Sequence, residues 1–158
     1  MGDLTALQQL ASPLVGVTSL VEIRLFESHG RHVAFPSNPE QVRPADLQIG
    51  MLSPTDDGAD NLVYLLQAEM RLVQGDGDED EEGIDIATFS VTFGALYTVH
   101  EQGREATSEQ REAFGQCVAS LALWPYVRAE MAHLAEAMHS PMNITLPMLS
   151  QEDLVDLM

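Results

Sequence analysis

Leu62, Tyr64, Leu66, Ala68, Met70 and Leu72 recur at every second position, and Phe89, Val91, Phe93, Ala95, Tyr97 and Val99 repeat the pattern after an acidic interval. A period of two puts each set on one face of a strand. The intervening positions differ between the two: Gln67, Glu69 and Arg71 in the first, Ser90, Thr92 and Gly94 in the second. The segment 62–73 also contains good helix formers, but its stripe favours a strand with one face on a core and the other near water. These two strands commit the chain to a sheet that needs a cover on one side.

The cover is legible further on. Thr107 and Gln110 match a capping box, and Phe114, Val118, Leu121, Trp124, Met131, Leu134 and Met138 then return every three or four residues or at multiples of that spacing. Pro125 is expected to kink this long helix, and Ser140-Pro141 to end it. Met142, Ile144, Leu146 and Met148 follow in a loop, and Ser150 can cap a last short helix.

Ahead of the stripes, Asp3 can cap a short helix to about Leu14, closed by Pro13 and Gly16. Val21, Ile23 and Leu25 alternate with Glu22 and Arg24 in a first strand that ends near the turn-prone His29-Gly30-Arg31. Residues 35–44 hold three prolines and read as an extended connection, and Leu47, Ile49 and Met51 alternate as a second strand. The resulting class is α+β: one domain over 1–158, with a four-stranded antiparallel sheet, a long kinked helix, a short C-terminal helix and a short N-terminal one.

Composition limits the chemistry. Twenty-five acidic residues face seven basic ones, all arginine, for a net charge of -18. Such a surface repels nucleic acid and anionic membranes. Without lysine there is neither a phosphate-gripping P-loop lysine nor a Schiff base. The N-terminus has no signal-peptide pattern, no segment is long enough to span a bilayer, and the one cysteine has no partner for an intrachain disulfide, so a reducing cytoplasm is expected.

Candidate metal and catalytic groups are weak. Asp76, Asp78 and Asp80 fall at calcium-loop spacing, but Glu81 takes the glycine place and Ala87 the bidentate glutamate place. The stretch 75–83 reads as an acidic hairpin loop. Glu130-x-x-His133 and Glu136-x-x-His139 lie about 240° apart around one helix and cannot share a metal within a chain. Cys117 sits among Val118 and Leu121, where a thiol packs rather than reacts. No cofactor, metal or catalysis is expected.

The order of these parts resembles the SecB export chaperones. Phe93-Gly94-Ala95-Leu96-Tyr97-Thr98-Val99 looks like the family's glycine-plus-aromatic exit from the last strand. Trp124-Pro125-Tyr126-Val127-Arg128-Ala129-Glu130 is similar to its aromatic-Pro-Tyr-x-Arg-Glu helix segment, with Ala129 where Glu is usual, and Ile144-Thr145-Leu146-Pro147 to the apolar segment that follows. The resemblance implies an ATP-independent holdase for unfolded or precursor polypeptides, working as a homotetramer, a dimer of dimers with the long helices between two sheets. Phe35, Trp124, Met142, Ile144, Leu146 and Met148 are the groove candidates it implies, although packing competes for Trp124, Tyr126, Met131 and Met138. Arg128 is expected in a structural ion pair. The family docks the SecA motor through acids on the open sheet face, where this chain has Ser90 and, near the first-strand position, His29. The expected function is that of the holdase, and the departure brings in as its alternative a SecB-like member dedicated to one client, such as the antitoxin of a toxin–antitoxin pair, without SecA coupling. An adaptor for one folded or short linear partner is the rival from another class.

Overall fold

In the computed structural model, the structure describes residues 3–56, 60–75, 83–138 and 146–158. Four strands, β1 (Thr18–His32), β2 (Val42–Asp56), β3 (Asn61–Gln74) and β4 (Ile84–Val99), form one antiparallel sheet in the order β1-β4-β3-β2. β3 and β4 are central, so both stripes read from the sequence become the sheet's buried face. β1 and β2 are the edges, and the chain crosses between them through residues 33–41.

Helices α1 (Leu4–Val15), α2 (Ser108–Phe114), α3 (Ser120–Ala137) and α4 (Gln151–Leu157) supply the second layer, with α3 packed on β4, β1 and β3. The caps follow the sequence: Asp3 accepts from the Thr5 amide, Thr107 and Gln110 form a capping box, and Ser150 forms another with Asp153. Each side-chain oxygen satisfies an orphan amide of a first turn. Pro13 lies inside α1, and the helix continues to Val15. Among the described residues, no helix is long and apolar enough to cross a membrane.

The helical run departs from regular geometry before the proline expected to kink it. Pro125 is inside the uninterrupted span of α3, whereas Gly115–Ala119 forms a π turn between α2 and α3. The cause is long-range. Tyr64 from β3 stacks under Gly115, where a Cβ would come within 2.7 Å of the ring, and its hydroxyl donates to the Arg111 carbonyl at 2.8 Å. The widened turn leaves the Cys117 carbonyl accepting from Gln151 Nε2 at 2.6 Å, and Gln8 Nε2 in turn donates to Gln151 Oε1 at 2.8 Å. One amide side chain thereby ties α1 and α4 to the irregular turn.

β1 also differs from its expected pattern. Register shifts between Leu20 and Glu22 and between Leu25 and Glu27 take Val21 and Phe26 out of the ladder, so Val21 does not continue the Ile23–Leu25 stripe. Ile23 and Leu25 face Ala95 and Phe93, yet Leu25 stays exposed, as do Leu20, Val21 and Phe26. β2 extends well beyond the expected 47–51, and it takes in Pro44, which an edge strand tolerates. Asp46, at the β2 register shift, adopts φ 52°. β3 and β4 are antiparallel neighbours, and the acidic stretch expected as a hairpin loop lies, at residues 76–82, outside the described residues.

Candidate functional site: the α3 face and the returning segment

After α3 the chain returns past its own helix, and main-chain carbonyls hold it there. Trp124 is only 2% exposed, and its indole Nε1 donates to the Pro147 carbonyl at 3.0 Å. One turn later Arg128 Nε donates to the Leu146 carbonyl at 2.8 Å, and its Nη1 donates to the Met148 sulfur. The i, i+4 spacing puts both donors on one strip of the helix, where they grip successive peptide units. Arg128 was expected in an ion pair. Among the described residues its partners are instead a carbonyl and a thioether, because its strip faces backbone rather than a carboxylate.

The clamp divides the groove candidates. Leu146 is turned inward at 5% exposure, beside a buried Trp124, so the pair forms a floor. Met148 points outward at 73% exposure. Tyr126 is 48% exposed and lies 5.8 Å from the Phe93 ring, extending apolar surface along the helix. Phe35 stands on the β1–β2 crossover at 97% exposure and touches none of this group among the described residues. Met142 and Ile144 lie outside the described residues. Met131 is buried and Met138 half-buried, with the Met138 sulfur pressed against Gly30 of β1. His32 Nε2 meets the Met138 carbonyl at 2.8 Å, which closes the C-terminal end of α3 onto β1.

His29 and Ser90 are direct cross-strand partners on the opposite, uncovered face. They border a cavity of about 350 Å³ lined also by Asp46, Gln48, Glu69, Arg71 and Thr88. Arg71 pairs with Asp46 at 2.7 Å and with Asp85 at 3.3 Å, which leaves Glu69 as a further carboxylate beside Ser90. A second hollow of about 310 Å³ on this face lies between Phe26, Val63, Gly94 and Leu96, and the Phe26 ring rests where a Cβ on Gly94 would be. The sequence pattern puts Glu69 and Arg71 on the open side of β3 without marking them as a site, and it gives no signal for Phe26. The period-two pattern marks the buried face and leaves the other one unspecified.

Cys117 is buried, and burial pushes its thiol pKa up, away from thiolate chemistry. Glu130 accepts from Ser28 at 2.8 Å and lies 3.7 Å from His133 Nδ1. Among the described residues, no group of three or more His, Cys, Asp or Glu could hold a metal.

No family model and no curated protein matches this chain. Among solved structures, the chain is similar to the SecB-like chaperone Rv1957 of Mycobacterium tuberculosis, solved in complex with a ChAD peptide from the Rv1956 HigA1 antitoxin. The TM-score is 0.77 at 23% identity, covering 90% of this chain and 98% of that one. Four antiparallel strands under a long joined helix, flanked by short N- and C-terminal helices, give this chain the SecB-like fold.

Proposed function

We propose that this chain is a SecB-like chaperone that binds an extended, non-native polypeptide segment, with a dedicated client of the antitoxin type as the favoured case. The observation that carries this reading is the likeness, over nearly the whole of both chains, to a chaperone solved with an antitoxin peptide. The site chemistry supports it. A rigid floor of Trp124 and Leu146, an adaptable Met148 and the exposed ring of Tyr126 offer apolar contacts without fixed polar geometry. Ile144 and Met142 belong to the same proposed surface, and Phe35, on the β1–β2 crossover, is proposed as a separate apolar contact. Binding is independent of ATP, in keeping with a chain that lacks lysine, and the protein works in the cytoplasm.

Self-association belongs to the proposal. β1 is an edge strand whose helix-facing side exposes Leu20 and Leu25, and the neighbouring α3 exposes Leu121 and Tyr126. An edge of that length with apolar side chains is covered by a second copy, as in a dimer of dimers. His29 and Ser90 stand where SecA docking would use acids, so coupling to that motor is not part of the reading.

The test is aggregation suppression with several unrelated unfolded proteins, set beside recovery of proteins bound in native cells. One antitoxin-like protein recovered reproducibly, with weak protection of the unrelated set, supports the dedicated chaperone. Strong protection of all supports a general holdase. No protection and one folded partner would replace both with an adaptor.

A further inference from the structure

Methionine occurs eight times in this chain, and its positions differ sharply in access. Met70 and Met131 are buried, while Met51, Met138 and Met158 are half-buried. Met148 alone among the described methionines is strongly exposed, at 73%. It is also the one whose sulfur receives a guanidinium N–H, from Arg128, whose Nε is already fixed on the Leu146 carbonyl at 2.8 Å.

We propose that Met148 is a reversible oxidation site that tunes the client-binding segment, an inference that rests on the chaperone reading for its consequence but not for its chemistry. The oxidant is a hydroperoxide, and the reductant that reverses the step is a thiol-dependent methionine sulfoxide reductase. In the forward step a sulfur lone pair attacks one peroxide oxygen. The S–O bond forms as the O–O bond breaks, the other oxygen leaves after proton transfer as an alcohol, or as water when the oxidant is hydrogen peroxide, sulfur loses two electrons and the peroxide gains them. In reversal two thiols deliver two electrons and two protons, the oxygen leaves as water and a disulfide forms.

The geometry gives the product a partner. A thioether is a weak acceptor, whereas a sulfoxide oxygen is a strong one, and it would be bonded to the sulfur that the Arg128 guanidinium already meets. The oxidised residue therefore stays seated at the clamp, but it presents a polar group where the reduced one presents apolar surface to a client. Oxidation changes the surface without releasing the segment.

The experiment treats the full chain with dilute hydrogen peroxide, quenches at intervals and maps added oxygen by peptide mass spectrometry. Met148 is expected to gain one oxygen about tenfold faster than Met51, Met138 or Met158, with Met70 and Met131 unmodified until the chain unfolds. Oxidised protein is expected to lose about threefold in apparent affinity for unfolded clients, to keep the Trp124 fluorescence of the clamped segment, and to recover binding after reductase treatment. Whatever its starting affinity for clients, Met148→Leu should show no change in that affinity on peroxide treatment. Equal oxidation rates at Met148 and Met158, equal losses in wild type and Met148→Leu, or a fluorescence change reporting release of the segment would each overturn the proposal. If the untreated protein binds no unfolded client, the chaperone reading falls, while the mass map still decides whether Met148 is the preferred site.

Discussion

Replacing Arg128 by Met isolates the clamp from the packing around it. The methionine keeps most of the aliphatic stem, so no large cavity opens, but the donor to the Leu146 carbonyl is lost. A hydrogen bond to a charged group at such a half-buried position contributes about 1.5 kcal/mol, which corresponds to roughly tenfold more frequent opening of the segment. The opening is local. Residues 146–150 are tied to α3 by this bond, by the Arg128 contact with the Met148 sulfur and by the Trp124 bond, whereas β3 and β4 are secured by full ladders on both sides. The assay is hydrogen exchange of the indole N–H, which gives one resonance because the chain has one tryptophan. In Arg128→Met that proton should exchange about tenfold faster, while the slowest β3 amides keep their protection. Unchanged indole exchange would mean that Arg128 does not hold the segment. Equal loss at the β3 amides would mean that it stabilises the whole domain, and either result refutes a local clamp.

Gly115→Ala puts a methyl within 2.7 Å of the Tyr64 ring, and the expected cost of about 1–3 kcal/mol outweighs the helix propensity gained, as a lower urea midpoint would show. Asp153 accepts from the Ser150 hydroxyl and amide, which holds its carboxyl below the usual carboxylate value. The sign follows: its contribution to α4 is complete above the unfolded pKa of about 4 and fades as pH falls through the lower folded value, so α4 signals in an NMR pH titration should loosen only in that acid range, and Asp153→Asn should remove the dependence. Cys117 should react with a disulfide reagent at the rate of unfolding rather than at that of a free thiol, and fast labelling of the folded chain would contradict its burial.

What could be read in the sequence tracks what neighbours enforce. β3 and β4 are paired on both edges and covered on one face, so burial imposes the period-two stripe directly. β1 has one neighbour and two register shifts, and no burial disciplines Leu20, Val21 or Phe26 into a single stripe. The π turn was invisible because it depends on Tyr64 meeting Gly115 across the core, a contact between distant positions. Helix caps were legible because a cap joins residues two or three positions apart.

The site divides along the same line, and this bears on how it can vary. Trp124, Leu146 and Met148 were marked by order and apolarity, but the clamp joins α3 side chains to carbonyl oxygens, which every residue possesses. No residue type at 146 or 147 announces that its backbone is gripped. The converse is useful: donors that read main chain leave the outward side chains free to differ, provided that Trp124 and Arg128 stay and residue 146 remains apolar enough to fill the floor. Met148 can then be exchanged for another flexible or branched apolar side chain without loosening the segment from α3. On the proposed reading, client preference would lie with the outward residues, on a segment that Trp124 and Arg128 hold chiefly through its main-chain carbonyls.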